Sequence, residues 1–194
     1  NKATGPDGVP SKLIKACSAS LSLPLSIIYR KSIETGIFPE YWKHANVTPV
    51  FKRKGDRSNP QNYRPISILN IFSKIFEKII NRELTTYLNS HSLLNANNSG
   101  FKEGDSTTDQ LLYITHQIQT GFEEKKDSLM IFLDIKAAFD RVWHEGLIFK
   151  LKCLGVKGLL LSWFSNYLAG RQQRVVIKGV SSSLRPITAG VPQG

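Results

Sequence analysis

Cysteine is nearly absent: Cys17 and Cys153 stand far apart in 194 residues, with no partner at metal-ligand spacing. With four scattered histidines they make no zinc site, and both thiols read as small buried hydrophobes of a reduced, intracellular protein. Acidic residues are also scarce. The chain carries 15 Asp plus Glu against 26 Lys plus Arg, a net charge of +11 and a pI near 9.7. A cationic surplus of this size points to a polyanionic partner, because each phosphate neutralised releases condensed counterions. Long apolar runs are missing as well. None reaches the length of a bilayer span, and the first residues lack a charged-then-apolar targeting pattern. The expected polyanion is therefore nucleic acid rather than a membrane surface. Hydrophobic residues at 41% are enough for a packed core and argue against wholesale disorder.

What is present begins with a turn, "ATGPDGVP", too rich in Gly and Pro to be anything but loop. From Ser11 the apolar positions Leu13, Ile14, Cys17, Leu21, Leu25, Ile28, Tyr29 and Ile33 recur at helical spacing. Pro24 is expected to kink or divide that helix, and Gly36 to stop it. Residues 45–51, "ANVTPVF", read as a short strand whose Pro49 is tolerable only at an edge. The basic turn "KRKGDRSNPQN" follows, and after "YRPIS" a long amphipathic helix with its apolar stripe on Phe72, Ile75, Phe76, Ile79, Ile80, Leu84, Tyr87 and Leu88. Ser106 with Asp109 is a capping-box signature for a helix through Leu112, Ile118 and Phe122. "LMIFLDI" (129–135) is a continuous apolar run, expected as a strand covered on both faces. Helical patterns at Leu147–Leu154 and Leu159–Leu168 close on Gly155 and Gly170, and "QRVVIKGVSSSLRPI" reads as a hairpin turning near Gly179. No repeat or linker divides the chain, so the expectation is one α+β unit.

Asp134, at the end of the expected strand, is the informative residue. A buried carboxylate is costly to desolvate unless something pairs with it, and a strand tip holds a hard oxygen ligand rigidly for a divalent cation. The alternative is an Asp that caps the turn after the strand. Directly after it, "KAAFDRVWHEGL" puts two alanines where backbone N–H groups can cradle phosphates, and Phe139 where a ring can police a sugar. Arg64 in "YRPIS" follows a Lys/Arg-rich turn, as a phosphate clamp requires, or else pairs with a local acid such as Asp56. In "AGVPQG", Gly and Pro fix a backbone against which something must lie closely.

In order, "KATGPDGVP", "WKHANVTPVFKRKGD", "NYRPISILNIFSKIFEKIINREL", "SGFKEGDSTTDQL", "MIFLDIKAAFDRVWHEGL" and "ITAGVPQG" resemble successive blocks of non-LTR (LINE-type) retrotransposon reverse transcriptases. The resemblance implies an α+β right-hand polymerase fold, with residues 1–128 as fingers and helices leading into the palm, and 129–194 as a partial palm. It implies RNA-templated DNA synthesis from a DNA primer and dNTPs by two metal ions, Mg²⁺ or alternatively Mn²⁺, with no zinc and no membrane, and action in the nucleus. Carried over residue by residue, Asp134 is a metal ligand assisted by the Ile135 carbonyl, and Ala137 and Ala138 offer N–H groups to the triphosphate. Phe139 matches the steric gate against a ribose 2′-hydroxyl. Arg64 and one of Lys52 or Lys54 resemble the residues that close on the β- and γ-phosphates. Gln193 and Gly194 occupy the motif that lies against the incoming nucleotide and template. Asp140 sits outside the metal pair and reads as structural, holding its turn or pairing with Arg141 or Lys136.

The departures from the family pattern matter. The family's aromatic-x-Asp-Asp hairpin and its thumb have no counterpart in these 194 residues, and "NNSGF" lacks the Gln that many relatives carry before Gly-Phe. Two adjacent cations need several carboxylates, so the 194-residue polypeptide by itself is expected not to polymerise DNA. A nucleic-acid-binding remnant without activity is the runner-up reading, followed by a maturase-like or telomerase-like polymerase.

Overall fold

A computed structural model describes residues 3–193. The described residues form a mixed α/β structure with six α-helices and a five-stranded sheet. They fall into two compact units, one of residues 1–83 with 137–194 and the other of residues 84–136, where a single unit is expected from the sequence.

The larger unit begins with α1 (Ser11–Ala16) and α2 (Ser18–Thr35). The break falls at Cys17, not at Pro24, which is carried inside α2. Pro24 forfeits the one bond that its N–H would have made to the Ser20 carbonyl, and the remaining turns of α2 hold the helix together across it. Gly36 ends α2 in the left-handed region: its N–H reaches the Ile33 carbonyl and that of Ile37 reaches Ser32, which satisfies two orphan acceptors. Both cysteines are exposed, contrary to expectation, Cys17 at the break between α1 and α2 and Cys153 at the end of a later helix.

The sheet is built from β1 (His44–Phe51), β2 (Tyr63–Leu69), β3 (Gln172–Ile177), β4 (Val180–Ser181) and β5 (Arg185–Pro186). β1 lies between β2, antiparallel, and β3, parallel. It is thus an inner strand despite Pro49. Two details reconcile this. β3 pairs only with His44–Val47, and Pro49 faces Pro65. Lys52 N–H donates to the Asn62 carbonyl at 2.8 Å, so by antiparallel alternation the proline pair occupies a position where neither N–H would bond its partner. β2 itself is not anticipated by the sequence reading. β3 and β4 form the hairpin expected around Gly179, with β5 returning along β3.

The core is aromatic. Tyr29, Phe38, Trp42, Phe76 and Trp163 interlock beside the sheet, supplied by α2, the turn before β1, α3 (Ile71–Ser90) and α6 (Gly158–Leu168). Phe76 faces the Tyr29 ring at 4.5 Å and the Trp163 ring edge-on at 5.2 Å. Phe72, Ile75 and Ile80 from the expected α3 stripe pack on this cluster, while Ile79 is exposed. Burial pushes the Tyr29 phenol up to about 12, and its hydroxyl donates to the Phe72 carbonyl at 2.9 Å. Beside the core, Arg171 is 1% exposed. Its guanidinium lies over the Tyr167 ring and donates from Nη1 to the Tyr167 carbonyl. Burial raises the Glu77 carboxyl above the usual range, against the opposing pull of the Ser73 hydroxyl and the Arg171 charge. α5 (His144–Cys153) packs on α6.

The smaller unit holds the last turns of α3 and α4 (Thr107–Glu123). The capping box forms as the sequence predicts: Asp109 N–H donates to Ser106 Oγ at 3.2 Å, and Ser106 N–H to Asp109 Oδ2 at 2.8 Å. The expected strand at 129–135 does not form. These residues are irregular, with Leu129, Phe132 and Leu133 each more than four-fifths exposed. An apolar run becomes a strand only where a neighbouring backbone pairs with it, and no described strand does.

Candidate nucleotide and nucleic-acid site

The larger unit brings three distant sequence blocks to one place. After β5 the chain runs through Ala189–Gln193 and is fastened on both sides. On one side Gly190 N–H donates to the Val142 carbonyl and Val191 N–H to the Phe139 carbonyl, both at 2.8 Å. His144 Nε2 meets the Gly190 carbonyl at 2.7 Å. On the other side the Ser67 N–H, on the outer edge of β2, donates to the Gln193 carbonyl at 2.6 Å. The close partner that the Gly/Pro spelling of this loop requires is therefore double: the β2 edge and the turn at Phe139–Arg141. Between them lies a cavity of about 460 Å³, lined by Pro65 and Ser67 of β2, Asp140, Gln173 of β3, and residues 186–192.

None of the phosphate-facing candidates lines this cavity. Arg64 is exposed on β2, and Asp56 does not pair with it. The Asp56 carboxylate instead takes the Ser58 N–H and hydroxyl, which hold it below the usual range. Lys52 Nζ donates to the Gln61 carbonyl at 2.8 Å, whereas Lys54 is exposed without a side-chain partner among the described residues. Ala137 has φ +54, and Ala138 follows in the right-handed helical region. Their carbonyls accept from Asp140 and Arg141, closing the turn, while their own N–H groups have no backbone partner among the described residues. Phe139 is half-buried. Asp140 makes no ion pair with Arg141 or Lys136; its backbone supports Gly190 instead.

Asp134 and Ile135 belong to the smaller unit, both exposed on the irregular 129–135 segment. The expected burial of this carboxylate does not occur, for the same lack of strand pairing. Among the described residues no group of three or more His, Cys, Asp or Glu could hold a metal ion. One carboxylate does not fit a two-cation centre, which needs several oxygen ligands per ion. Gly194 lies outside the described residues. Two contributors escape the sequence reading, His144 and Ser67, because each acts through a backbone contact made only by the fold.

Residues 52–194 match the model of the family "Reverse transcriptase (RNA-dependent DNA polymerase)". The chain belongs to the reverse transcriptase family. It is 35% identical, over its whole length, to a "Probable RNA-directed DNA polymerase from transposon BS" of Drosophila melanogaster, of which it covers 21%. It is 33% identical, again over its whole length, to the RNA-directed DNA polymerase from mobile element jockey of the same organism, with 21% of that protein covered. A third relative, a probable RNA-directed DNA polymerase from transposon X-element, is 32% identical with the same coverage. The chain thus spans about a fifth of the length of these curated relatives. The mixed α/β fold with its one sheet is consistent with a reverse transcriptase domain.

Proposed function

We propose that this chain is the fingers and part of the palm of a non-LTR retrotransposon reverse transcriptase, acting on an RNA template, a DNA primer and dNTPs in the nucleus. The observation that carries the reading is the shared cavity. "YRPIS", "AAFDRVWH" and "AGVPQ" are far apart in sequence, yet Pro65, Asp140 and Pro192 line one space. In this reading Arg64 and Lys52 close on the β- and γ-phosphates. Lys52 is favoured over Lys54 because its N–H bonds the Asn62 carbonyl and so keeps it against the start of β2, whereas Lys54 lies farther out in the basic turn. The N–H groups of Ala137 and Ala138 face the triphosphate, and Phe139, fixed by Val191, excludes a ribose 2′-hydroxyl. Gln193 lies against the nucleotide and template. Asp134, with the Ile135 carbonyl, supplies one ligand set toward magnesium, or manganese in its place. The remaining carboxylates are not among the described residues.

The test is binding and extension by the purified 194-residue chain on an RNA template with an annealed DNA primer. Affinity is expected to fall roughly 10³-fold or more between 50 and 200 mM salt if about six phosphates are contacted. No primer extension is expected with magnesium. Binding that ignores salt would overturn the nucleic-acid assignment. Extension that is lost on Asp134→Ala would show that the one-carboxylate argument is wrong.

A further inference from the structure

The three adjacent strands β2, β1 and β3 carry a second basic feature that the nucleotide reading leaves unused. Side chains alternate across a sheet, so Asn46 and Val50 of β1 share one face, and Lys52 follows just past the end of the strand. Arg64 is directly opposite Val50, and Arg174 of β3 is directly beside Asn46. Arg64 and Arg174 therefore stand on the same face, on the two strands that flank β1, with Lys52 just past the end of β1. The three strands supply no carboxylate to that face: β1 (HANVTPVF), β2 (YRPISIL) and β3 (QQRVVI) contain no Asp or Glu. None of the ion pairs among the described residues involves these three cations. The acid nearest in sequence, Asp56, is committed to Ser58.

Arg174 is held in a particular way. Its Nε donates to Asn46 Oδ1 at 2.9 Å, and no other partner engages it among the described residues. One edge of the guanidinium is thereby tied to the neighbouring strand, while the two terminal nitrogens keep the fork that suits a phosphate. A half-buried arginine anchored by a neutral amide rather than a carboxylate keeps its full charge for an outside partner.

Resting on the polymerase reading, we propose that Arg174, oriented by Asn46, grips the phosphodiester backbone of a single-stranded polynucleotide that crosses this sheet face from the Lys52–Arg64 end. Four residues of β1 separate Val50 from Asn46, about 13 Å at the usual rise per residue. No one phosphate group bridges that span, so the ligand is a strand, not a nucleotide. Arg174 lines no part of the cavity on which the nucleotide reading rests, and this separates the new contact from the nucleotide site.

The experiment titrates the 194-residue chain with fluorescein-labelled 12-mers of oligouridylate and oligothymidylate, and separately with a fluorescent dNTP, over a range of salt. Arg174→Gln, which retains a donor for Asn46, is expected to weaken both oligomers roughly 3–10-fold and to lower the salt slope by about 0.7, one single-strand phosphate contact. dNTP affinity should be unchanged, and Arg174→Lys should restore most of the oligomer binding. A loss confined to oligouridylate would mark RNA as the strand; equal losses would mean either strand is held by its phosphates alone. Oligomer binding by Arg174→Gln with wild-type affinity and slope, while Arg64→Ala weakens it, would overturn the proposal and leave the polymerase reading standing. If the wild-type chain bound neither oligomer, the polymerase reading itself would fall, and this inference with it. Circular dichroism melts of each variant separate lost contacts from lost folding.

Discussion

Trp163→Ala is expected to destabilise the larger unit by about 3–5 kcal/mol, the usual cost of emptying a buried tryptophan site. Trp163 is 1% exposed and touches most of the core. Its ring meets Phe38 and Phe76 edge-on and stacks on Tyr167 at 5.5 Å, and Nε1 donates to Ser32 Oγ at 3.0 Å. Ser32 Oγ in turn donates to the Ile37 carbonyl, so the same indole steadies the turn after α2. With native stabilities commonly about 5–15 kcal/mol, the variant should be partly unfolded at 37 °C. Urea unfolding followed by near-ultraviolet circular dichroism measures the loss. Trp163→Phe should cost less, since it keeps an aromatic ring and loses the bond to Ser32. A loss below about 1 kcal/mol for the alanine variant would mean that this cluster is not the centre of the core.

Gly190→Ala should act on the site rather than on the core. Gly190 has φ +88, and a Cβ there would fall 2.8 Å from both the Cα and the carbonyl oxygen of Asp140. The left-handed conformation alone costs a non-glycine residue roughly 1–2 kcal/mol. The contact is worse, because backbone cannot swing aside as a side chain can. The loop must lift, and with it go the bonds to Val142, Phe139 and His144, each worth about 1 kcal/mol. The far end of the loop reports the movement, since the Ser67 N–H is covered by Gln193. Hydrogen exchange at Ser67 should accelerate much more than at Val47, which lies within β1. Nucleotide affinity should fall in parallel. An unchanged Ser67 amide would show that the loop absorbs the methyl group locally, and that the cavity does not depend on this fastening.

The contrast between these two sites explains what could be read in advance. The apolar stripe on α3, the Gly36 stop and the Ser106–Asp109 cap are local patterns, set by residues within one or two turns of each other, and they form as spelled. β2 was hidden because the basic turn and Pro65 disguise its alternation, and its strand character depends on β1 as partner. The run at 129–135 misleads for the converse reason: the side chains suit a strand, but strand formation is decided by a neighbouring backbone. Pro24 does not divide α2, because a proline removes one internal bond of a helix of 18 residues whose other turns hold it together. At the site, the Gly/Pro-rich "AGVPQG" announces that something approaches closely, yet only the fold reveals that the Asp140 backbone and the β2 edge do so. Arg174 gave no signal at all, since its meaning rests on a parallel register with Asn46 that no spacing in the sequence encodes.

The bare segment at 129–135 has a consequence of another kind. Six successive residues, Ser128 to Leu133, carry no charge, no proline and no glycine, and they are rich in β-forming side chains. Solvent-exposed stretches of that composition pair with copies of themselves and seed cross-β aggregates. Asp127 and Asp134 bracket the run as gatekeepers, each placing a charge where stacked copies would repel. Asp134 thus has a colloidal duty besides any chemical one. Removing its carboxylate strips one of the two guards, so Asp134→Ala will be stickier than its parent whatever it does to nucleotides. Its behaviour carries meaning only on material shown to be monodisperse, and Asp134→Asn beside Asp134→Lys would separate loss of a ligand from loss of repulsion.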